Sequence, residues 1–134
     1  ISRNDMDEFC RRLTSLNREA VRGWRFRLPT ETEWTVFSDN GFVPPDAALD
    51  GAPVRAAAEG TANAHGLVNV VGNVAEATVN PILGDAGLKA CGLGSSDRRK
   101  SRVLSPHHQR WLGEPDDEIG FRVVLTPSPK LDAP

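Results

Sequence analysis

The sequence lacks any apolar run near the roughly 20 residues that a membrane-spanning helix needs, and it has no basic-then-apolar signal segment. We therefore expect no membrane span. Lysine is scarce, and arginine supplies most of the positive charge. The net charge is -2. Such a balance gives no electrostatic attraction to nucleic acid. The sequence also starts at Ile1 rather than at a methionine, so we expect a piece of a larger polypeptide.

Cysteine is also rare, with only Cys10 and Cys91 present. Two cysteines so far apart in sequence leave one disulfide possible, but their spacing indicates neither a metal site nor a redox pair. Cys10 falls on the apolar side of a predicted helix and is interpreted as a small buried hydrophobe. Cys91 lies in a glycine-rich stretch, where a free or buried thiol and a catalytic thiol are the two readings.

What is present is the composition of one globular domain. The 134 residues are 39% hydrophobic and 25% charged, which is enough chain for a core without metal or disulfide. Apolar residues from Met6 to Leu16 follow helical spacing and predict a helix from Asn4 to about Arg18. Thr30 and Glu33 form a capping-box pattern that predicts a second helix, with Trp34 turned inward.

The stretch from Gly66 to Asn80 interleaves glycine, asparagine, glutamate and β-branched residues at short spacing. Within it, one tight loop offers an amide oxygen, two backbone carbonyls and a carboxylate, from Asn69, Gly72, Val74 and Glu76. Oxygen-only sets of this kind are preferred by hard cations such as Ca²⁺. The alternative is a Gly-Asn turn between two buried strands, with Glu76 solvated.

Four motifs in order carry a resemblance to the formylglycine-generating enzyme (sulfatase-modifying factor) family. R-L-P-T-E-T-E-W at 27–34 resembles that family's R-L-P-T-E-A-E-W signature, and I-S-R-N-D-M-D-E-F-C-R-R-L at 1–13 resembles the helix that precedes it. N-A-H-G-L-V-N-V-V-G-N-V-A-E at 63–76 is similar to N-x-x-G-L-Y-D-M-x-G-N-V-W-E. G-F-R at 120–122 matches the closing strand, which we expect to run from Ile119 to Leu125.

The resemblance implies an α+β, C-type-lectin-like fold, in which two helices flank a small, twisted, mostly antiparallel sheet among many irregular loops. It implies a domain over residues 1–125, matching the C-terminal two thirds of a usual family domain. The three prolines in residues 126–134 indicate a tail or linker after it. The resemblance also implies a structural Ca²⁺ in the glycine-rich loop. The positions matched to its ligands are Asn69, Gly72, Val74 and Glu76.

The family's enzymatic branches require residues that this sequence does not match. The oxidases hold copper with two cysteines after a G-G-S motif, whereas no cysteine follows Gly92-Leu93-Gly94-Ser95 here. Copper is therefore not expected, because one thiolate cannot form the soft two-coordinate site that Cu(I) prefers. The non-haem iron branch has only the pair His107-His108 to offer, and a structural or solvent-facing pair is the simpler interpretation.

A third branch is recognition, as in the variable proteins of diversity-generating retroelements, where residues ahead of the G-F-R strand face the ligand. Residues 98–118 hold that position here and predict a surface for a protein or small-ligand partner. Arginine and tryptophan are common in binding hot spots, although a core position for the tryptophan is the alternative. The predicted contact residues are Arg102, His107, His108, Arg110 and Trp111. We expect a binding or structural module, with an accessory or catalytic domain of a family enzyme as the alternative.

Overall fold

A computed structural model describes residues 1–81, 87–97 and 108–129. Helix α1 (Arg3–Leu16) is followed by strand β1 (Trp24–Arg27) and helix α2 (Glu31–Phe37). Five strands complete the described elements. They are β2 (Ala75–Pro81), β3 (Leu88–Cys91), β4 (His108–Trp111), β5 (Ile119–Gly120) and β6 (Val124–Pro127). None of the helices in these ranges is long and apolar enough to cross a bilayer.

Both helices begin at capping boxes. At α2 the Thr30 hydroxyl accepts from the Glu33 backbone N–H at 3.1 Å, and the Glu33 carboxylate accepts from the Thr30 N–H at 2.8 Å. These bonds satisfy N–H groups that have no partner within the helix, and they confirm the predicted start. At α1 the same exchange joins Ser2 and Asp5, so this helix begins slightly earlier than expected.

The strands form two sheets. A four-stranded sheet has the order β4-β3-β2-β5, in which β2 and β5 run parallel and the other neighbours antiparallel. Strands β1 and β6 form a separate antiparallel ribbon. The sequence predicted one strand from Ile119 to Leu125, which is wrong. The chain instead leaves β5 after Gly120 and joins a different sheet at Val124. Because β6 pairs with β1 as far as Pro127, the expected domain end at 125 falls inside this strand.

The core has two parts. Alternate residues of a strand point to opposite faces, so Ala90 packs in one cluster and Cys91 in the other. The first cluster joins α1 to the sheet through Met6 and Cys10, and the second surrounds Trp34 of α2. Two residues of the predicted inward face of α1 are instead exposed, Phe9 at 47% and Leu16 at 84%.

Candidate functional site

The glycine-rich loop, residues 66–74, leads directly into β2 and is built on left-handed backbone. Asn69, Gly72 and Asn73 have φ values of 56°, 87° and 68°, a region that asparagine and glycine tolerate better than other residues. A Cβ at Gly72 would lie 3.0 Å from the carbonyl oxygen of Ala48. The loop therefore packs closely against the preceding segment, and glycine is required for that approach.

The amides of Asn69 and Asn73 fasten this loop to residues 55–59. Asn73 exchanges two hydrogen bonds with the backbone of Arg55, at 2.8 and 3.1 Å. Asn69 Nδ2 donates to the carbonyl oxygens of Ala57 at 3.0 Å and Glu59 at 2.7 Å. Both side chains are buried. Since their hydrogen-bonding groups are already engaged, the two amides hold the loop in shape.

Glu76 forms the central ion pair of the site. The Arg122 guanidinium donates from Nη2 to Glu76 Oε1 at 2.7 Å and from Nε to Oε2 at 3.1 Å. The side chain of Glu76 is 5% exposed and that of Arg122 is 26% exposed. Arg122 Nη2 also donates to the Val68 carbonyl at 3.1 Å. One guanidinium thus joins the glycine-rich loop, β2 and the segment after β5.

Burial raises the pKa of the Glu76 carboxyl above its ordinary value, while the hydrogen bonds and charge of Arg122 act in the opposite direction. The Trp34 indole makes a smaller contribution that also lowers this pKa. The indole Nε1 does not reach ordinary hydrogen-bond geometry, however, and has no partner among the described residues. Arg122 is therefore the main partner of the buried carboxylate, and the alternative of a solvated Glu76 is wrong.

In this arrangement the four predicted calcium positions do not fit a calcium ion. Ca²⁺ takes six to eight oxygen ligands, but both Glu76 oxygens accept from Arg122, and Asn69 Oδ1 accepts from Arg55 Nε at 3.0 Å. The other two predicted ligands are the backbone carbonyl oxygens of Gly72 and Val74, and neither of them accepts a hydrogen bond from these arginines in the contacts described above. Within the described ranges, no three His, Cys, Asp or Glu side chains gather as a metal site.

A cavity of about 170 Å³ opens beside the ion pair. Arg122 and Glu76 line it together with Asn69, Asn73 and Phe121. Phe121 forms an edge-to-face contact with Phe9 of α1, with ring centroids 5.3 Å apart. The charged and amide groups in its wall are already paired with one another or with backbone, so the cavity gives solvent access to Arg122 without offering an unsatisfied carboxylate.

The predicted recognition residues do not form one described surface. Arg102 and His107 lie outside the described residues, and only the backbone of His108 and Arg110 is described, on β4. Trp111, expected at a binding surface, is 6% exposed and lies in the first core cluster. Its indole Nε1 donates to the Glu114 carbonyl at 2.7 Å. The core alternative for this tryptophan is therefore the correct one.

The two cysteines are free and buried, and they belong to different core clusters. Burial raises the pKa of the Cys91 thiol to about 12, and the negative charge of Glu31 adds to this effect. Burial also raises the pKa of Cys10. Because the thiolate is the reactive form, these environments favour structural thiols, and the possible Cys10–Cys91 disulfide is not formed.

Sequence reasoning missed the role of Arg55, which donates to Asn69 and, from Nη1, to the Asp46 carbonyl at 2.7 Å. It also missed that Arg122 meets Glu76. The residues themselves gave a partial signal, because arginine is well suited to bidentate pairing with a carboxylate. No local spacing connects positions 76 and 122, so the partner could not be assigned from the sequence.

No protein-family model matches the chain, and no curated protein matches its sequence. Solved structures do resemble it. Variable protein 1 of Treponema denticola superposes with a TM-score of 0.61 and 19% identity over 81% of this chain. The crystal structure of CarF superposes with a TM-score of 0.68 and 20% identity over 96% of this chain. The chain spans 50% of variable protein 1 and 66% of CarF.

These similarities show the fold. The chain has an α+β, C-type-lectin-like fold of the kind found in formylglycine-generating-enzyme-like domains, as the sequence predicted. At about 20% identity the likeness carries no activity from either protein to this one.

Proposed function

We propose that the chain is a non-catalytic recognition module of the formylglycine-generating-enzyme-like class, acting within a larger polypeptide. Its partner, a protein or a small ligand, would bind at the end of the four-stranded sheet where β3 ends and β4 begins. The resemblance in four sequence motifs and the structural likeness to variable protein 1 support this proposal.

The observation that carries the proposal is the convergence of three turns at that end of the sheet. The Asn73 carbonyl accepts from Ser95 N–H at 2.9 Å, and the Ser95 carbonyl accepts from Gly51 N–H at 2.8 Å. Glu118 joins them, because its carbonyl accepts from Ala75 N–H at 2.9 Å. Turns fixed to a rigid sheet are the usual place for binding residues. Within the predicted segment 98–118, the described structure resumes at His108, which pairs with Cys91 at this end of the sheet.

A binding experiment with matched charge reversals tests the location. The purified chain would be applied to arrays of proteins, peptides and glycans, and each hit measured with Asp117→Lys and Glu19→Lys. Both residues are exposed acids, but Glu19 lies in the turn before β1. We expect Asp117→Lys to weaken binding about tenfold, equivalent to about 1.4 kcal/mol, and Glu19→Lys to have no effect. Equal responses of the two variants would contradict the proposed surface.

The alternative is an accessory or catalytic domain of a family oxidoreductase whose other residues lie outside this chain. The structural alignment with CarF supports this alternative, because it covers 96% of this chain but only 66% of CarF. Copper(I) titration and a formylglycine assay on a cysteine-containing substrate peptide separate the two. We expect no turnover; tight Cu(I) binding with formylglycine formation would establish the oxidase reading.

A further inference from the structure

Both side chains that were predicted to bind calcium are instead bound by an arginine. Glu76, the only acid of the predicted set, is bound through both oxygens by Arg122. Asn69, the only side-chain amide of the set, gives its oxygen to Arg55. Each predicted side-chain ligand thus faces a guanidinium, which carries a permanent positive charge at any physiological pH.

Both arginines also link separate segments, as a structural metal ion does through its ligands. Arg122 reaches the Val68 carbonyl as well as Glu76, and Arg55 reaches the Asp46 carbonyl as well as Asn69. Arg55 is partly buried and packs against Gly60, because a Cβ at Gly60 would lie 2.6 Å from its Nη2. Glycine at that position, with φ 128°, leaves the space that the guanidinium occupies.

The positive charges of Arg55 and Arg122 oppose an added divalent cation. A calcium ion between these loops would lie near two guanidinium groups, and Glu76, the carboxylate of the predicted set, is already paired with one of them. Like charges in a partly buried site are weakly screened, and displacing Arg122 would leave its own charge without a partner. A cation therefore gains little here that the arginines do not already provide.

We infer that the guanidinium groups of Arg55 and Arg122 take the place of a metal ion in the glycine-rich loop, so that the native chain folds without calcium. This inference concerns the stability of the loop and is independent of the proposed recognition function. It follows from the hydrogen bonds that Arg122 makes to Glu76 and Val68 and that Arg55 makes to Asn69 and Asp46.

The first test measures the unmodified chain by titration calorimetry and thermal melting, in calcium chloride and in EDTA at equal ionic strength. We expect no calcium-binding heat and the same melting temperature in both solutions. A ligand that binds only the native state raises its stability with concentration. A calcium-dependent rise in melting temperature that Glu76→Gln abolishes would overturn the inference.

The second test removes one guanidinium and supplies it from solution. In Arg122→Ala, the existing cavity beside Glu76 becomes larger and is open to small cations. We expect millimolar guanidinium chloride to raise the melting temperature of this variant relative to equal sodium chloride. It should not do so for Arg27→Ala, whose pair with Glu33 is more exposed. Equal responses of the two variants would count against a specific cation position. If Arg122→Ala does not fold, the calcium measurement on the unmodified chain decides.

Discussion

Replacing Arg122 with methionine is expected to lower the free energy of unfolding by about 3 kcal/mol, the loss typical when one partner of a buried ion pair is removed. Methionine keeps most of the side-chain length but leaves the Glu76 carboxylate, 5% exposed, without its cation. The carboxylate would then have to be buried unpaired or take up a proton. Urea denaturation at neutral pH measures the loss.

A second arginine provides the matched control. Arg27 also binds a glutamate through two nitrogens, donating to Glu33 at 2.7 and 2.9 Å, but that carboxylate side chain is 38% exposed. Exposed pairs contribute about 1 kcal/mol or less, so Arg27→Met should cost much less than Arg122→Met. Similar losses in the two variants would show that burial of Glu76 does not set the energy.

Truncating Trp111 to alanine is expected to lower the free energy of unfolding by about 3 kcal/mol or more, as large-to-small substitutions in cores do. The indole packs in the cluster that includes Met6 and Ala90, and the variant would also lose the hydrogen bond to the Glu114 carbonyl. This prediction separates a core tryptophan from a ligand contact, because an exposed contact residue could be removed with little change in stability. Chemical denaturation measures it.

The neighbouring Leu112 is the control for Trp111, since it is 57% exposed. Leu112→Ala should change stability by no more than about 0.5 kcal/mol, as most surface substitutions do. If Trp111→Ala were as mild as Leu112→Ala, the placement of the tryptophan in the core would be wrong.

Local chemistry explains which parts of the fold were predictable from the sequence. The start of α2 depends on Thr30 and Glu33, three positions apart, and a capping box is complete within one helical turn. The inward position of Trp34 follows from the same helix. The resemblance in four motifs added the fold class, which no single segment determines.

The rest depends on contacts between distant residues. Glu76 and Arg122 meet only because β2 and β5 run side by side, with Glu76 opposite Gly120. The same crossing divides the predicted closing strand, since Arg122 turns toward Glu76 before β6 begins. The buried position of Trp111 could not be predicted either, because its neighbours in the sequence are polar or glycine apart from Leu112. The spacing of Asn69, Gly72, Val74 and Glu76 predicts a set of oxygen ligands, but it cannot show whether a metal ion or an arginine side chain binds them.

The measurement that tests the internal ion pair most directly is a double-mutant cycle with Glu76→Gln, Arg122→Met and the double variant, unfolded by urea in the presence of EDTA. Residues in direct contact show coupling energies of about 0.5–3 kcal/mol, and the bidentate, buried geometry predicts about 2 kcal/mol here. If the effects of the two substitutions were strictly additive, the claim that the Glu76–Arg122 pair holds the glycine-rich loop to β2 would be wrong.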